Sequence, residues 1–181
     1  MNETAKKITD IAERMIRDGG YHSFSFRQIA DELEVKSASI HYHFPTKEAL
    51  GELVTKRYTE NFLASLGRPE EHKDPIGFYI SAFETALKVD GRTCLCGVLA
   101  AESGRLPEVV CSALKEFTDE NLKWLQDALK IVSPERSAAQ RKGTASVVFS
   151  ALEGAINFAA LTKNPSYLVK VGKAMRQMIV G

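Results

Sequence analysis

The sequence has few of the features that mark membrane, secreted or disulfide-bonded proteins. Its 181 residues contain 3 cysteines, 6 prolines and 1 tryptophan. An odd cysteine count without an export signal argues against a disulfide framework. No run approaches the ~18 uninterrupted apolar residues of a membrane span, and no apolar segment near the N-terminus has the form of a secretory signal. We therefore expect a soluble cytoplasmic protein with reduced thiols and no membrane partner.

The chain also has no excess of charge of one sign, and this bears on whether nucleic acid is a partner. The net charge is +1, and residues 1–50 contain seven Lys and Arg against eight Asp and Glu. Overall charge therefore gives no support to binding of nucleic acid. Residues 35–47 differ, because they contain two lysines, two histidines and no acidic residue. This segment is basic although the half that contains it is not.

Apolar residues recur at three- and four-residue steps through most of the chain, which predicts helices. The pattern over residues 5–16 predicts a first helix that ends at Asp18-Gly19-Gly20. Period-two alternation, the mark of a strand, is absent from the sequence, so we predict an all-α fold. Further helices, separated by Gly and Pro signals, are predicted at about 47–66, 75–89, 95–104, 108–131, 135–162 and 166–179.

Two short helices between the first and the fourth form a helix-turn-helix candidate. Ser25 and Gln28 fit a capping box for a helix that ends near Leu33. Ser37 can cap a second helix, which Pro45 prevents from continuing. Two short helices joined by three or four residues are typical of the helix-turn-helix motif.

The outer face of the second short helix carries side chains suited to DNA. Ile40 and Phe44 are expected to face the core, which leaves small or hydrogen-bonding side chains outward. Such groups can donate to base edges or phosphate oxygens. The alternative is a polar exposed helix with an aromatic residue packed at its base. The candidate DNA-binding residues are Ser25, Lys36, Ser37, Ala38, Ser39, Tyr42, His43 and Lys47.

The segment from Phe24 to Leu50 resembles the signature of the TetR family of transcriptional regulators. The likeness covers roughly residues 5–55, including the closing Phe-x-x-Lys-Glu-x-Leu motif. It implies an all-helical homodimer, a palindromic double-stranded DNA operator, and repression relieved by a small-molecule effector. We accordingly predict a three-helix DNA-binding domain at residues 1–47 and a helical effector-binding and dimerisation domain at residues 48–181, with no enzymatic activity, cofactor or metal.

The resemblance also divides the candidate residues by role. His41 stands where many members have tyrosine, so Tyr42 is expected to take a larger share of the phosphate contact. Alanine 38 replaces a common glycine, which should alter the fit to the groove without preventing entry. The implied base contacts come from Lys36, Ser37, Ala38 and His43, and the implied backbone contacts from Ser25, Tyr42 and Lys47.

The helix predicted at residues 135–162 has almost no polar face, so it has to be covered on several sides. Its small residues, including Ser150 and Gly154, would allow another helix to approach closely. Two interpretations are open. The helix is either central to the core of one subunit, or it packs partly across a twofold interface. The second agrees with a homodimer formed through the last two helices.

Residues 92–102 form a second region of interest. They resemble the Gly-Cys-Leu opening of the sixth helix in one branch of the TetR family, with Thr93 in place of the glycine. Some relatives in that branch respond to electrophiles or oxidants through thiols, which makes Cys94, Cys96 or Cys111 candidate sensors. The alternative is that these cysteines are small buried apolar residues. A metal site is not expected, because no further Cys or His pair stands at ligand spacing.

Aromatic residues in the C-terminal part are candidates to line an apolar effector cavity, although such residues more often fill a core. Glu102, Glu153 and Asn157 lie within apolar stretches, and we expect them either to face a pocket or an interface or to occupy a capped or edge position. The aromatic candidates are Phe78, Phe83, Phe117, Trp124, Phe149 and Phe158.

Two other classes of function stay open at this point. A thiol enzyme using Cys94 or Cys96 as nucleophile would need a general base, but the four histidines lie in or near the DNA-binding half. A helical interaction module that has lost DNA binding would agree with the acidic balance of residues 1–50. Both differ from a regulator in giving no sequence-specific binding to DNA selected from a random pool.

Overall fold

The computed structural model describes residues 2–180, and all regular structure within that range is helical, which confirms the all-α prediction. Short 3-10 turns follow α1, α4 and α6 at Tyr21–Ser23, Pro69–Glu71 and Ser103–Arg105. The α-helices of the described chain are α1 (Glu3–Gly19), α2 (Phe26–Glu32), α3 (Ser37–His43), α4 (Lys47–Leu66), α5 (Pro75–Asp90), α6 (Leu95–Ala101), α7 (Glu108–Val132), α8 (Ala138–Leu161) and α9 (Ser166–Val180).

Local signals account for the ends of the first two helices. The Asn2 side chain accepts a hydrogen bond from the Ala5 amide at the start of α1. Gly20 follows α1 with φ of 85°, a region that favours glycine because a Cβ is disfavoured there. Ser25 caps α2 by accepting from the Gln28 amide, as predicted.

The predicted cap of α3 is wrong. The helix begins at Ser37 itself, and its N-cap is Lys36, whose side chain makes no capping hydrogen bond. Ser37 therefore lies in the first turn and is exposed. The helix ends at His43, followed by Phe44 as the C-cap and then by Pro45, so its predicted end is confirmed to within one residue.

Two hydrophobic clusters form the interior, of which the first crosses the predicted boundary at residue 47 and the second lies within residues 48–181. The first combines buried residues of α1, α2, α3 and the start of α4 with residues of α6 and α7, including Leu95, Leu99 and Phe117. The second combines the end of α4 with α5, α7, α8 and α9. The rings of Phe62 and Phe149 pack against both clusters. The helix-turn-helix is thus packed directly onto the rest of the chain.

Helix α8 is buried along one side and exposed along the other. Leu152 and Ile156 are buried in the second cluster, whereas Val147, Phe158 and Leu161 are more than half exposed. By length and composition α8 could cross a membrane, but the core helix of a soluble protein meets the same test, and one-third of its most apolar window is buried. The core interpretation therefore holds for the buried face, and the interface interpretation stays a prediction for the exposed face.

Candidate DNA-binding surface and effector cavity

Helices α2 and α3 form a compact pair whose outer side is free. The connection from Leu33 to Lys36 turns at Glu34, which has a positive φ of 55°. Ile40 is fully buried and Phe44 nearly so, which fixes the inner side of α3 to the core. Anchoring on one side leaves the opposite side of the helix in solvent, as a recognition helix requires.

The outer side of α3 carries the residues that the sequence singled out. Tyr42 is 85% exposed, although large aromatic side chains are usually mostly buried. Its ring contacts His43 edge to face, with centroids 5.2 Å apart. His41 instead lies with its ring 4.8 Å from that of Phe26. Both side chains are exposed, but the His41 ring also packs against Phe26 of its own subunit, whereas Tyr42 extends into solvent.

The remaining predicted contact residues of α3 share this exposed surface. Lys36, Ser37 and Ala38 are exposed at the N-terminal end of the helix, and Ser39 and His43 are partly exposed. The structure brings these residues together on one surface, as the prediction requires.

Lys47 is partly buried and already makes contacts within its own chain. Its Nζ donates a 2.7 Å hydrogen bond to the Phe24 carbonyl. The ammonium also lies 4.8 Å from the ring centre of Tyr21 and 4.4 Å from that of Phe24. Burial lowers the pKa of Lys47, while the nearby carboxylates of Glu48 and Glu102 act to raise it. Lys47 therefore links the start of α4 to the segment before α2, independently of any contact with DNA.

Ion pairs neutralise much of the acidic charge in the N-terminal half. Arg14 pairs with Glu32 across α1 and α2. Arg57 of α4 reaches both Asp10 and Glu13 of α1, at 2.6 Å and 2.8 Å. These carboxylates are therefore compensated locally. The unfavourable overall charge of residues 1–50 does not extend to the exposed surface of α3, whose own segment contains no acid.

A cavity of about 260 Å³ lies between α6, α7 and α8. Cys96, Gly97 and Ala100 form the α6 wall. The other walls combine apolar and polar side chains. They include Leu114, Phe117 and Thr118 from α7, and Phe149, Ser150, Glu153, Gly154 and Asn157 from α8. An apolar pocket with a few polar groups is the usual form of a small-molecule site.

The structure places the aromatic candidates in different surroundings, and Phe117 and Phe149 line this cavity. Trp124 is buried in the second cluster, where its Nε1 donates to the Gly67 carbonyl at 2.8 Å. Phe83 is buried in the same cluster. Phe158 is 53% exposed on α8. Helical spacing could not separate these cases, because it indicates that a residue is buried without indicating which neighbours surround it.

The candidate sensor cysteines differ in accessibility. Cys94 and Cys96 are buried, and Cys111 is partly exposed. Burial acts to raise the Cys94 pKa, but hydrogen bonds from Cys96 and the Gly97 amide outweigh it and lower the pKa below the ordinary value. Burial raises the pKa of Cys96. Cys96 lines the cavity and Cys111 lines a neighbouring groove, so the structure does not gather the three thiols into one site.

Glu153 is the least satisfied polar group of the cavity. Both carboxyl oxygens are buried and no N–H or O–H group donates to them, so the Cys94 sulfur is the neighbour with which the carboxyl shares a hydrogen bond. Burial, followed by the negative charge of nearby Cys94, raises the pKa of Glu153 well above its ordinary value. Oε2 lies against Gly97 so closely that a Cβ there would approach it to 2.4 Å. A glycine in α6 is thus required for the carboxyl to occupy this position.

One end of α6 is attached to the end of α1 and the other to the turn that follows α1. At the first end, Arg17 Nε donates to the Thr93 carbonyl at 2.9 Å, and Arg92 pairs with Asp18 at 2.6 Å. At the other end, Glu102 Oε2 accepts from the Tyr21 amide at 2.9 Å. Glu102 therefore pairs within its own chain and does not line the cavity. The partners are 81 residues apart, and the sequence carries no signal for their pairing.

A second feature secures this attachment. A Cβ at Gly20 would lie 2.0 Å from a carboxyl oxygen of Glu102, so the glycine is needed for the contact as well as for its positive φ. The sequence predicted Gly20 as a helix stop, and the close approach of α6 is a further role that periodicity could not indicate.

Comparisons with known proteins agree with this arrangement. The sequence model described as "Bacterial regulatory proteins, tetR family" matches residues 8–54. The chain is 23% identical over 143 residues to the HTH-type transcriptional regulator UidR of Escherichia coli K12, covering 75% of this chain and 72% of that protein.

Solved structures extend the similarity to nearly the whole chain. A TetR transcriptional regulator from Legionella pneumophila matches with a TM-score of 0.91 and 29% identity, covering 99% of this chain and 98% of that one. A TetR family regulator from Agrobacterium tumefaciens matches with a TM-score of 0.90 and 25% identity, covering 98% of each. These relatives are transcriptional regulators and not enzymes.

Proposed function

Because this chain belongs to the TetR family of DNA-binding transcriptional regulators, we propose that it is a homodimeric repressor released from a palindromic operator by a small molecule in the α6–α8 cavity. The observation that supports this proposal most directly is α3, held to the core by Ile40 and Phe44 while its outer side is free. Such a helix can enter the major groove without rearrangement of its own subunit. Residues 1–47 then serve to read DNA, and residues 48–181 to pair subunits and bind the effector.

The N-terminal end of α3 is the part that we assign to base reading. Lys36, Ser37 and Ala38 are exposed there, with Ser39 and His43 following on the same helix. Lysine and serine donate to the acceptors that base edges present in the major groove. Tyr42, Ser25 and Lys47 are assigned to phosphate contacts, which position the protein without reading sequence.

Replacement of Lys36 by alanine tests base reading with little risk to the fold. We expect roughly a tenfold or greater loss of affinity for an operator enriched from a random DNA pool, since one good base contact contributes about 1–3 kcal/mol of discrimination. Fluorescence anisotropy at several salt concentrations measures the loss. Lys123→Ala, which removes an exposed lysine from α7, is the matched control and should bind like wild type.

Two outcomes would contradict the proposal. One is a random pool from which no sequence is enriched. The other is a Lys36→Ala protein that binds the enriched DNA as tightly as the control. Lys47→Ala is a poorer probe, because it also removes the hydrogen bond to Phe24 and would confuse lost stability with lost contact.

The exposed face of α8 and α9 supports the homodimer. Large apolar side chains in solvent mark interaction surfaces when they are contiguous. Phe158 of α8 and Tyr167 of α9 contact each other, with ring centroids 5.8 Å apart, so this exposed surface is continuous between the helices. A twofold axis through it would present two α3 helices to successive major grooves. The exposed apolar residues of the two helices are Val147, Phe158, Leu161, Tyr167, Val169 and Met178.

Helix α6 supports release by an effector, because it forms a wall of the cavity and is attached at one end to α1 and at the other to the turn that follows α1. A molecule that displaces α6 therefore also acts on the end of α1, and through α1 on helices α2 and α3. A ligand shifts such an equilibrium when it binds the two arrangements with different affinity.

Glu102→Ala tests the attachment of α6 without requiring the effector. The Tyr21 amide would lose its acceptor, so we expect the free energy of unfolding to fall by about 1.5–3 kcal/mol, since hydrogen bonds to charged groups contribute about that much. Amide hydrogen exchange at Tyr21 should also accelerate. Glu102→Gln, which keeps a side-chain oxygen as acceptor, is the control. Equal exchange rates at Tyr21 in all three proteins would show that this contact does not hold α6 to α1.

A further inference from the structure

The cavity between α6, α7 and α8 also indicates the class of its ligand. We propose that it binds a small organic cation with a compact apolar body, and that Glu153 is the counter-ion. The inference rests on the proposed function in treating this cavity as the effector site. Within the described part of the chain, Glu153 is the one acidic side chain of the lining, and no Lys, Arg or His contributes to it.

The carboxyl of Glu153 lacks what such a ligand would supply. Its two oxygens are shielded from solvent, and among the described residues no N–H or O–H group donates to them; their partner is the Cys94 sulfur, a weak one. A buried polar group left in this state costs free energy that a donor from a ligand would recover. An ammonium or amidinium supplies both N–H donors and the opposite charge. A carboxylate ligand supplies neither.

The groups that surround Glu153 add negative charge or none. Cys94 lies near it on α6, with its pKa lowered. Tyr79 of α5 is buried, and the charge of Glu153 adds to burial in raising the Tyr79 pKa. Tyr58 of α4 is also near Cys94, and burial raises its pKa well above the ordinary value. Burial likewise raises the pKa of Cys96 of α6.

Charged residues of α1 reach the same region from the other side. Glu13 is near enough to act on the pKa of Cys96. Arg17 lies with its guanidinium carbon 6.0 Å from the Tyr58 ring centre, and its Nε donates to the Thr93 carbonyl. The Arg17 side chain is therefore directed to the start of α6. Among the described residues, the lining of the cavity contains one acidic side chain and no basic one.

The shape of the cavity limits the rest of the ligand. Phe117 and Phe149 offer ring faces and edges for a flat or compact apolar body. The volume of about 260 Å³ lies below the usual range for drug-sized ligands, which is about 300–1,000 Å³. The Asn157 amide lies beside Glu153 near Gly97 and can supply one more polar contact.

Three probes of nearly equal shape and different charge test the proposal. Benzamidinium, benzamide and benzoate are titrated into the full-length protein by isothermal calorimetry. We expect benzamidinium to bind at least about tenfold more tightly than benzamide, since hydrogen bonds to charged groups contribute about 1.5–3 kcal/mol. Benzoate should bind most weakly. Equal affinity for benzamidinium and benzamide, or tighter binding of benzoate, overturns the proposal.

Glu153→Gln assigns that preference to a residue. Because burial already favours the neutral acid, the amide should be accommodated with little change in fold. We expect this variant to bind benzamidinium and benzamide equally. Glu120→Gln, which removes an exposed carboxylate from α7, is the matched control and should keep the wild-type preference. Loss of the preference in the control, or its survival in Glu153→Gln, contradicts the assignment.

One measurement avoids substitution altogether. When the cation binds, the Glu153 carboxyl should ionise and pass its proton to the buffer, so the apparent binding enthalpy should differ between two buffers of different ionisation enthalpy. Identical enthalpies overturn the role of Glu153. DNA selection tests the proposed function separately. If the cation binds but no operator is enriched, the proposed regulatory function is overturned and the proposed ligand class is retained. If an operator is enriched but the cation is not preferred, the ligand class is overturned and the regulatory function is retained.

Discussion

Gly154→Arg is expected to convert the protein to a monomer and to lower its affinity for a selected operator by roughly a thousandfold. The glycine lies on the small-residue side of α8, beside exposed Phe158 and at the edge of the α6–α8 cavity. A Cβ at Gly154 would meet no atom outside its own helix within 4 Å, so one subunit accommodates a side chain there. The added arginine would obstruct a second copy. Losing one of two half-sites removes the avidity that specific binding requires, which commonly amounts to about 10³-fold or more.

Analytical ultracentrifugation and anisotropy with the selected operator measure both effects. Gly104→Arg is the matched control, because a Cβ at Gly104 also has no neighbour within 4 Å and the residue lies in the turn after α6. It should stay dimeric. A Gly154→Arg protein that is folded by circular dichroism and still sediments as a dimer would show that copies of the chain do not pair through this side of α8.

Phe117→Ala is expected to lower the free energy of unfolding by about 3–5 kcal/mol, the usual cost of truncating a buried phenylalanine. The side chain is 1% exposed. Its ring lies 6.2 Å from that of Tyr58, 5.9 Å from Phe62 and 6.0 Å from Phe149. Because Phe62 and Phe149 pack against both hydrophobic clusters, this ring group joins the two. Truncation should therefore weaken the whole chain and enlarge the cavity.

Urea denaturation at one fixed protein concentration measures the change, since pairing of subunits makes stability depend on concentration. Tyr42→Ala is the control, because it removes an aromatic ring that is 85% exposed, and it should change stability by less than about 0.5 kcal/mol. A Phe117→Ala protein as stable as that control would mean that the clusters are held together by other contacts.

The sequence predicted the parts of the fold that depend on neighbouring residues. Helical periodicity located the helices, and local signals such as the Ser25 cap and Gly20 located their ends. The one misplaced cap, Ser37, was predicted from the same kind of local signal as the correct caps. A serine before an apolar pattern suits both the cap and the first turn, and only the backbone conformation of Lys36 decides between them.

The site was predictable to different degrees in its two parts. The exposed face of α3 follows from the spacing of Ile40 and Phe44, so residues such as Tyr42 could be named from the sequence. The cavity depends on how three helices meet, and spacing within one helix carries no such information. Phe117 and Trp124 have the same pattern on α7, yet one lines the cavity and the other donates to the Gly67 carbonyl.

The first hydrophobic cluster contains residues of the helix-turn-helix together with Cys96 and Phe117, which also form walls of the cavity. Among the described residues, side chains that line the cavity and side chains that hold α3 to the core therefore belong to one packed cluster. If occupancy of the cavity disfavours the arrangement that fits DNA, reciprocity of binding free energies requires an operator-bound dimer to hold the small molecule more weakly by the same factor.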